Sequence, residues 1–118
     1  MSMRLAGTPL LAAIALPLAA LAQSAPTPVN GAGQIVLTIE NHVFSPAEIH
    51  VKAGQRSEIL VRNLDPTAEE FDSTSLKIEK VVAGKSEATL RLRALDPGSY
   101  PFIGEYHADT AKGVVIAD

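Results

Sequence analysis

Two short clusters hold the side chains that could do chemistry. One is Glu105, His107 and Asp109, alternating inside the run FIGEYHADTAKG that ends at Gly113. The other is Glu69, Glu70 and Asp72. Imidazole beside carboxylates suits Cu(II), iron or zinc, whereas Cu(I) favours thiolate and thioether. In an extended segment alternate side chains share one side, so Glu105, His107 and Asp109 are expected to face one point. Glu69 or Glu70 is expected to join them, because the loops of a β-sandwich gather at its two ends. A lone loop carboxylate is more often simply solvated, and it is the grouping that carries the metal reading.

The other histidines read differently. His42 follows Asn41 at a strand end and is expected to cap the strand or line the surface. His50 lies between Ile49 and Val51, on the polar face of a strand. Neither is expected to bind metal. Tyr100, Phe102 and Tyr106 read as core or rim filler. Nucleophilic catalysis has little support: there is no Gly-x-Ser-x-Gly elbow and no cysteine, so no catalytic residue is assigned.

The elements that must position these residues are short strands. Apolar and polar residues alternate over Ile35–Glu40, Arg56–Asn63 and Glu87–Arg93, and Ile49–Val51, Leu76–Glu79, Tyr100–Phe102 and Gly113–Ile116 are shorter runs of similar kind. Ala53-Gly54, Asp65-Pro66, Ala83-Gly84 and Asp96-Pro97-Gly98 mark turns between them. No helical period persists. Seven or eight strands with turns at this spacing predict an all-β, antiparallel Greek-key β-sandwich.

Residues 1–22 read as a cleavable signal peptide: Arg4 precedes the apolar run LLAAIALPLAALA, and Ala20-Leu21-Ala22 forms a cleavage site. Export to the periplasm is therefore expected, with no membrane span left after cleavage. Residues 23–33, QSAPTPVNGAG, read as a flexible leader, and 34–118 as one domain. Without Arg4 the remainder carries nine basic against thirteen acidic residues, a net charge of −4. That mild acidity argues against a nucleic-acid partner. Both methionines, Met1 and Met3, fall in the signal peptide, so the rest of the chain has no sulfur ligand.

The stretches Asn63–Pro66, Glu69–Asp72, Glu79–Val82, Leu95–Phe102 and Gly104–Gly113 resemble the EfeO-type cupredoxin-like domains. These are small periplasmic proteins that accompany bacterial high-affinity iron permeases, and the N-terminal part of the EfeO iron-uptake protein. The resemblance covers Gln34 to Asp118 and implies a cupredoxin-like sandwich. It places His107 as the second histidine, Glu69 or Glu70 near the first, Gly104 or Glu105 at the cysteine and Ala111 near the methionine, so the blue-copper type 1 site is absent. It implies instead copper or iron bound by Glu69, Glu70, Glu105 and His107, with Asp72, Glu79 and Asp109 as secondary ligands. The expected role is to assist ferrous-iron uptake, including Fe(II) oxidation, with iron permease components as partners. A metal-free shell that docks on a permease or another partner is the alternative. All of these residues are read as loop or surface positions.

Overall fold

Alternation is what makes these segments strands. In a computed structural model, which describes Ser2, Met3, Gly7 and residues 27–118, the chain forms nine strands. They are β1 (Ile35–Glu40), β2 (Val43–Ser45), β3 (Glu48–Val51), β4 (Ser57–Asn63), β5 (Glu69–Ser73), β6 (Ile78–Val82), β7 (Glu87–Leu92), β8 (Gly98–Gly104) and β9 (Lys112–Ala117). One 3-10 turn, Glu105–His107, stands between β8 and β9. The expected signal peptide lies outside the described residues except at Ser2, Met3 and Gly7, and among the described residues no helix is long and apolar enough to cross a membrane.

The strands build two sheets, ordered β2-β1-β4-β7 and β3-β9-β8-β5-β6. The all-β sandwich is the expected one, with two corrections. Among the described residues there are nine strands rather than seven or eight, because the bend after β1 makes β2 fold back on β1 while β3 crosses to the other sheet. The sheets are also mixed rather than purely antiparallel. That crossing lets β4 return alongside β1 in parallel, Leu37 opposite Val61, and lets β3 lie parallel to β9. Parallel pairs need a crossover connection, and a visit to the opposite sheet supplies one.

Ile35, Leu37 and Ile39 from β1 face Ile49, Phe71, Phe102 and Val115 of the other sheet in one buried cluster. Each fully buried side chain of this kind contributes about 2 kcal/mol relative to exposure. Phe44 meets Phe102 edge-on at 5.2 Å, and Phe71 stacks on Phe102 at 4.8 Å. Gly113 is required beside them, since a Cβ there would stand 2.3 Å from the Phe102 ring.

The end of the expected leader is fastened to this sandwich. Asn30 Oδ1 accepts N–H bonds from Ala32 and Gln34, Val36 N–H donates to Pro28 O, and His50 N–H donates to Thr27 Oγ1.

Candidate metal centre

Three loops at one end of the sandwich place His42 and His107. Asn63, 1% exposed at the end of β4, donates through Nδ2 to the carbonyls of Thr67, Val82 and Ala83 and accepts Asp65 N–H. This fixes the path into Glu69. Asp65, also buried, accepts Asn41 N–H at 2.7 Å and His42 N–H at 3.0 Å. It thereby holds a two-residue turn between β1 and β2 in which Asn41 and His42 both have positive φ, 52° and 59°, as hairpin turns of this length require. Burial pushes the Asp65 carboxyl up. The His42 and Asn41 amides outweigh it, helped by the His42 and Lys85 charges, so its pKa ends below the usual aspartate value. On the far side, Gly104 N–H donates to Ala111 O and Ala111 N–H to His107 O, closing the 105–110 loop. Thr110 Oγ1 donates to His42 O at 2.7 Å and clips the two loops together.

The result is a buried carboxylate against two rings. Glu69, 4% exposed, takes His107 Nδ1 on Oε2 at 2.5 Å. Its Oε1 accepts Tyr106 N–H at 2.9 Å and Glu70 N–H at 3.1 Å. His42 stacks on His107 with centroids 3.4 Å apart and planes 9° from parallel. A Cβ at Gly104 would stand 2.7 Å from both Glu69 Cδ and Ala111 Cβ. Glycine is thus needed for the carboxyl to reach the ring, and Glu69, Gly104, Ala111 and His107 converge on one spot.

The sequence has no cysteine and its methionines are at positions 1 and 3, so no thiolate or thioether stands among Glu69, Gly104, Ala111 and His107 and a type 1 copper centre does not fit. A harder ion fits better. With Nδ1–H donated to Glu69, the neutral His107 ring keeps its lone pair on Nε2, the arrangement in which a carboxylate orients a metal-binding imidazole. His42 adds a second ring. Imidazole lone pairs lie in the ring plane, so two parallel rings 3.4 Å apart bind one ion only after one ring turns. Among the described residues no three His, Asp or Glu side chains are grouped to hold a metal ion.

The remaining expected ligands lie elsewhere. Along β5 the inward residues are Glu69, Phe71 and Ser73, while Glu70 and Asp72 turn outward. Asp72 pairs with Glu79 in the register of β5 and β6. Partial desolvation, then the negative charges of Glu105, Glu79 and Asp72, raise the pKa of Glu70. Glu70, Asp72, Glu79 and Glu105 therefore form an acidic outer face beside the Glu69–His107 pair. The extended segment expected at Glu105–Asp109 is instead the 3-10 turn followed by a turn, so its alternate side chains do not share a side. Asp109 is exposed. His42, expected to cap the strand or line the surface, is half-exposed in the turn after β1 and in addition lies against His107, because the Asp65 carboxylate and Thr110 hold its turn there. An Asn-His pair between two apolar alternations was the local hairpin signal for it. His50 stays apart from these groups, its Nε2 3.6 Å from Glu48 and its Nδ1 3.8 Å from Asp118.

Comparison with known proteins agrees with this architecture. Residues 10–117 match the family model for the cupredoxin-like domain. The chain is 34% identical over 85 residues to the uncharacterized protein RP394 of Rickettsia prowazekii (strain Madrid E), spanning 72% of this chain and 68% of that protein. The metal binding domain of the Streptococcus pneumoniae D39 Cu(I) exporting P-type ATPase CopA, solved with Cu(I), superposes with TM-score 0.64 at 20% identity, covering 72% of this chain and 84% of that one. Auracyanin A, a "blue" copper protein of Chloroflexus aurantiacus, gives TM-score 0.62 at 14% identity over 72% and 98%. Amicyanin from Paracoccus versutus gives 0.58 at 18% over 74% and 83%. At these identities the structural likeness is one of fold. The match over nearly the whole chain, with the 34% identical relative, makes this protein a member of the cupredoxin-like domain family.

Proposed function

We propose that this chain is a periplasmic metal-binding accessory to ferrous-iron uptake, binding copper or iron at the end of the sandwich that carries His107. The observation that carries the reading is the Glu69–His107 pair with His42 stacked on it. His107 Nε2 is the leading donor and His42 the second ring. Glu69 orients His107, since all three of its hydrogen bonds are already made within the protein. The acidic face of Glu70 and Glu105, with Asp72 and Glu79, supplies carboxylates that draw a cation toward the rings. A bound redox ion would supply one-electron chemistry, and participation in Fe(II) oxidation is part of this proposal. The periplasmic location and the iron permease partners rest on the signal-like leader and on the EfeO-type resemblance of Gly104–Gly113.

A second reading has its own observation. No three ligand side chains are grouped among the described residues, which favours a metal-free module that docks on a permease or another partner. Calorimetric titration of metal-free protein with Cu(II) and with Fe(III) separates the two. Saturable binding tighter than about millimolar, which corresponds to about 4 kcal/mol, supports the metal site. Heats of dilution alone leave the docking module.

A further inference from the structure

We propose that the opposite end of the sandwich binds a phosphate group, in a cleft of about 400 Å³ lined by Arg56, Ser57, Glu58, Arg91, Leu92 and Arg93. β4 begins at Ser57 and β7 ends at Leu92, and these two residues are paired in register, whereas the His42 turn follows the other end of β1, which runs parallel to β4, and His107 stacks on His42 there. The cleft is therefore about a strand's length from His107.

Two independent features point to an anion. The first is unpaired positive charge. Among the described residues the one arginine ion pair is Arg62–Glu87, and neither Arg56 nor Arg91 has a carboxylate partner. Glu58 stands directly opposite Arg91 in the register, yet its Oε2 accepts Gln34 Nε2 at 3.1 Å. Arg93 is committed to the carbonyls of Leu76 and Ser75. Two guanidinium groups thus stay free in a chain whose net charge is −3. The second feature is an unmet donor. Ser57 Oγ is one of two buried side-chain polar atoms without a hydrogen-bond partner among the described residues, and the other is His50 Nε2. Both line an adjoining cleft that also includes Arg56 and Lys52. A buried hydroxyl without a partner is costly, and native proteins fill such sites with a ligand or a water. Guanidinium forks match phosphate oxygens, and a hydroxyl can donate to a third. Free phosphate and a phospholipid headgroup share this chemistry.

The test is calorimetric titration of the metal-free protein with inorganic phosphate, paired with sedimentation of phosphatidylglycerol and of phosphatidylcholine vesicles. Saturable phosphate binding is expected, weakened at least about tenfold in Arg56→Gln/Arg91→Gln and severalfold in Ser57→Ala, since each removes hydrogen bonds to a charged group. Arg62→Gln, which alters only the outer ion pair, is expected to bind as the wild type does. Retention on phosphatidylglycerol but not phosphatidylcholine vesicles assigns the phosphate to a headgroup, and binding of inorganic phosphate alone assigns it to the free ion. No saturable binding by either probe overturns the proposal. So does binding that survives the double arginine substitution, or a Ser57→Ala variant that binds unchanged, which would leave the hydroxyl as a water site.

Discussion

Glu69 and Glu70 are neighbours on one strand and meet opposite fates. Glu69 turns inward and accepts hydrogen bonds from two backbone amides and an imidazole. Glu70 turns outward and faces the carboxylates of Glu105, Glu79 and Asp72. The two residue types are identical, and the single-residue step along a pleated strand decides between them. The inner region is held from three loops and carries the rings. The outer one is a field of like charge, and among the described residues none of its four carboxylates is in an ion pair.

The contrast breaks most sharply on stability. Glu69→Ala strips the partners from Tyr106 N–H, Glu70 N–H and His107 Nδ1 in a nearly buried setting, and is expected to cost about 3 kcal/mol. Urea denaturation measures it. Glu70→Ala is expected to cost nothing measurable. Equal losses would mean that the inward carboxylate is not the anchor. This revises the reading of Glu69 as a loop or surface position, under which it would not matter to folding, while Glu70 keeps that reading.

On binding, His107→Ala is expected to weaken Cu(II) affinity by at least about 10–100-fold, the range seen even for residues behind a metal ligand. Glu70→Gln/Glu105→Gln is expected to change it by less than about threefold, the effect of neighbouring exposed charge. The reverse ranking in calorimetry would move the ion to the acidic face. Affinity is also expected to fall on acidification, because imidazole binds metal only when neutral.

Asp65→Ala tests the support of the inner region. It frees the Asn41 and His42 amides and is expected to cost about 2 kcal/mol at neutral pH. The Asp65 pKa is lowered by folding, so its stabilisation is present above the unfolded aspartate value and is lost as pH falls through the folded one. Wild type and variant are therefore expected to converge in acid. Denaturation curves that stay equally far apart at every pH would show that packing, not the charge, is what the substitution removes.

Local chemistry explains why part of this was legible beforehand. Ser57, Ile59 and Val61 alternate with Glu58, Leu60 and Arg62 as read, because period-two burial is written in adjacent residues. The Glu69-or-Glu70 alternative could not be narrowed, because the parity of β5 depends on where Asn63 and its three carbonyl partners start the strand. The 3-10 turn at Glu105 was hidden for a similar reason, since a bond between Gly104 and Ala111 shapes it from outside. His42 was the largest gap. The groups that bring it to His107, Asp65 and Thr110, are 23 and 68 residues away, and no window along the chain contains them.

That gap supplies a finer test. His42→Ala removes a ring stack worth about 1 kcal/mol and takes away the second imidazole. Copper affinity is expected to drop severalfold, less than for His107→Ala, while His50→Ala leaves it unchanged. A His42→Ala protein with wild-type affinity would make the stack a packing feature only.

The smallest effect is on the outer face, and its sign is the informative part. Folding raises the Glu70 pKa, through partial desolvation first and then the charges of Glu105, Glu79 and Asp72. The protonated form is thus favoured in the folded state. Stability is greatest in this respect below the ordinary glutamate range and is lost as pH rises through the folded value. Glu70→Gln carries no charge at any pH, so its melting midpoint is expected to lie slightly above the wild type at neutral pH and to merge with it in acid. Added salt is expected to narrow the neutral-pH gap, since these carboxylates are exposed enough to be screened. A variant that melts below the wild type at neutral pH would mean that the Glu70 carboxylate has a favourable partner there. A cation held by the acidic face is the partner that would do this, and the contrast between the two regions would then be one of ligand type rather than of anchored against repelling charge.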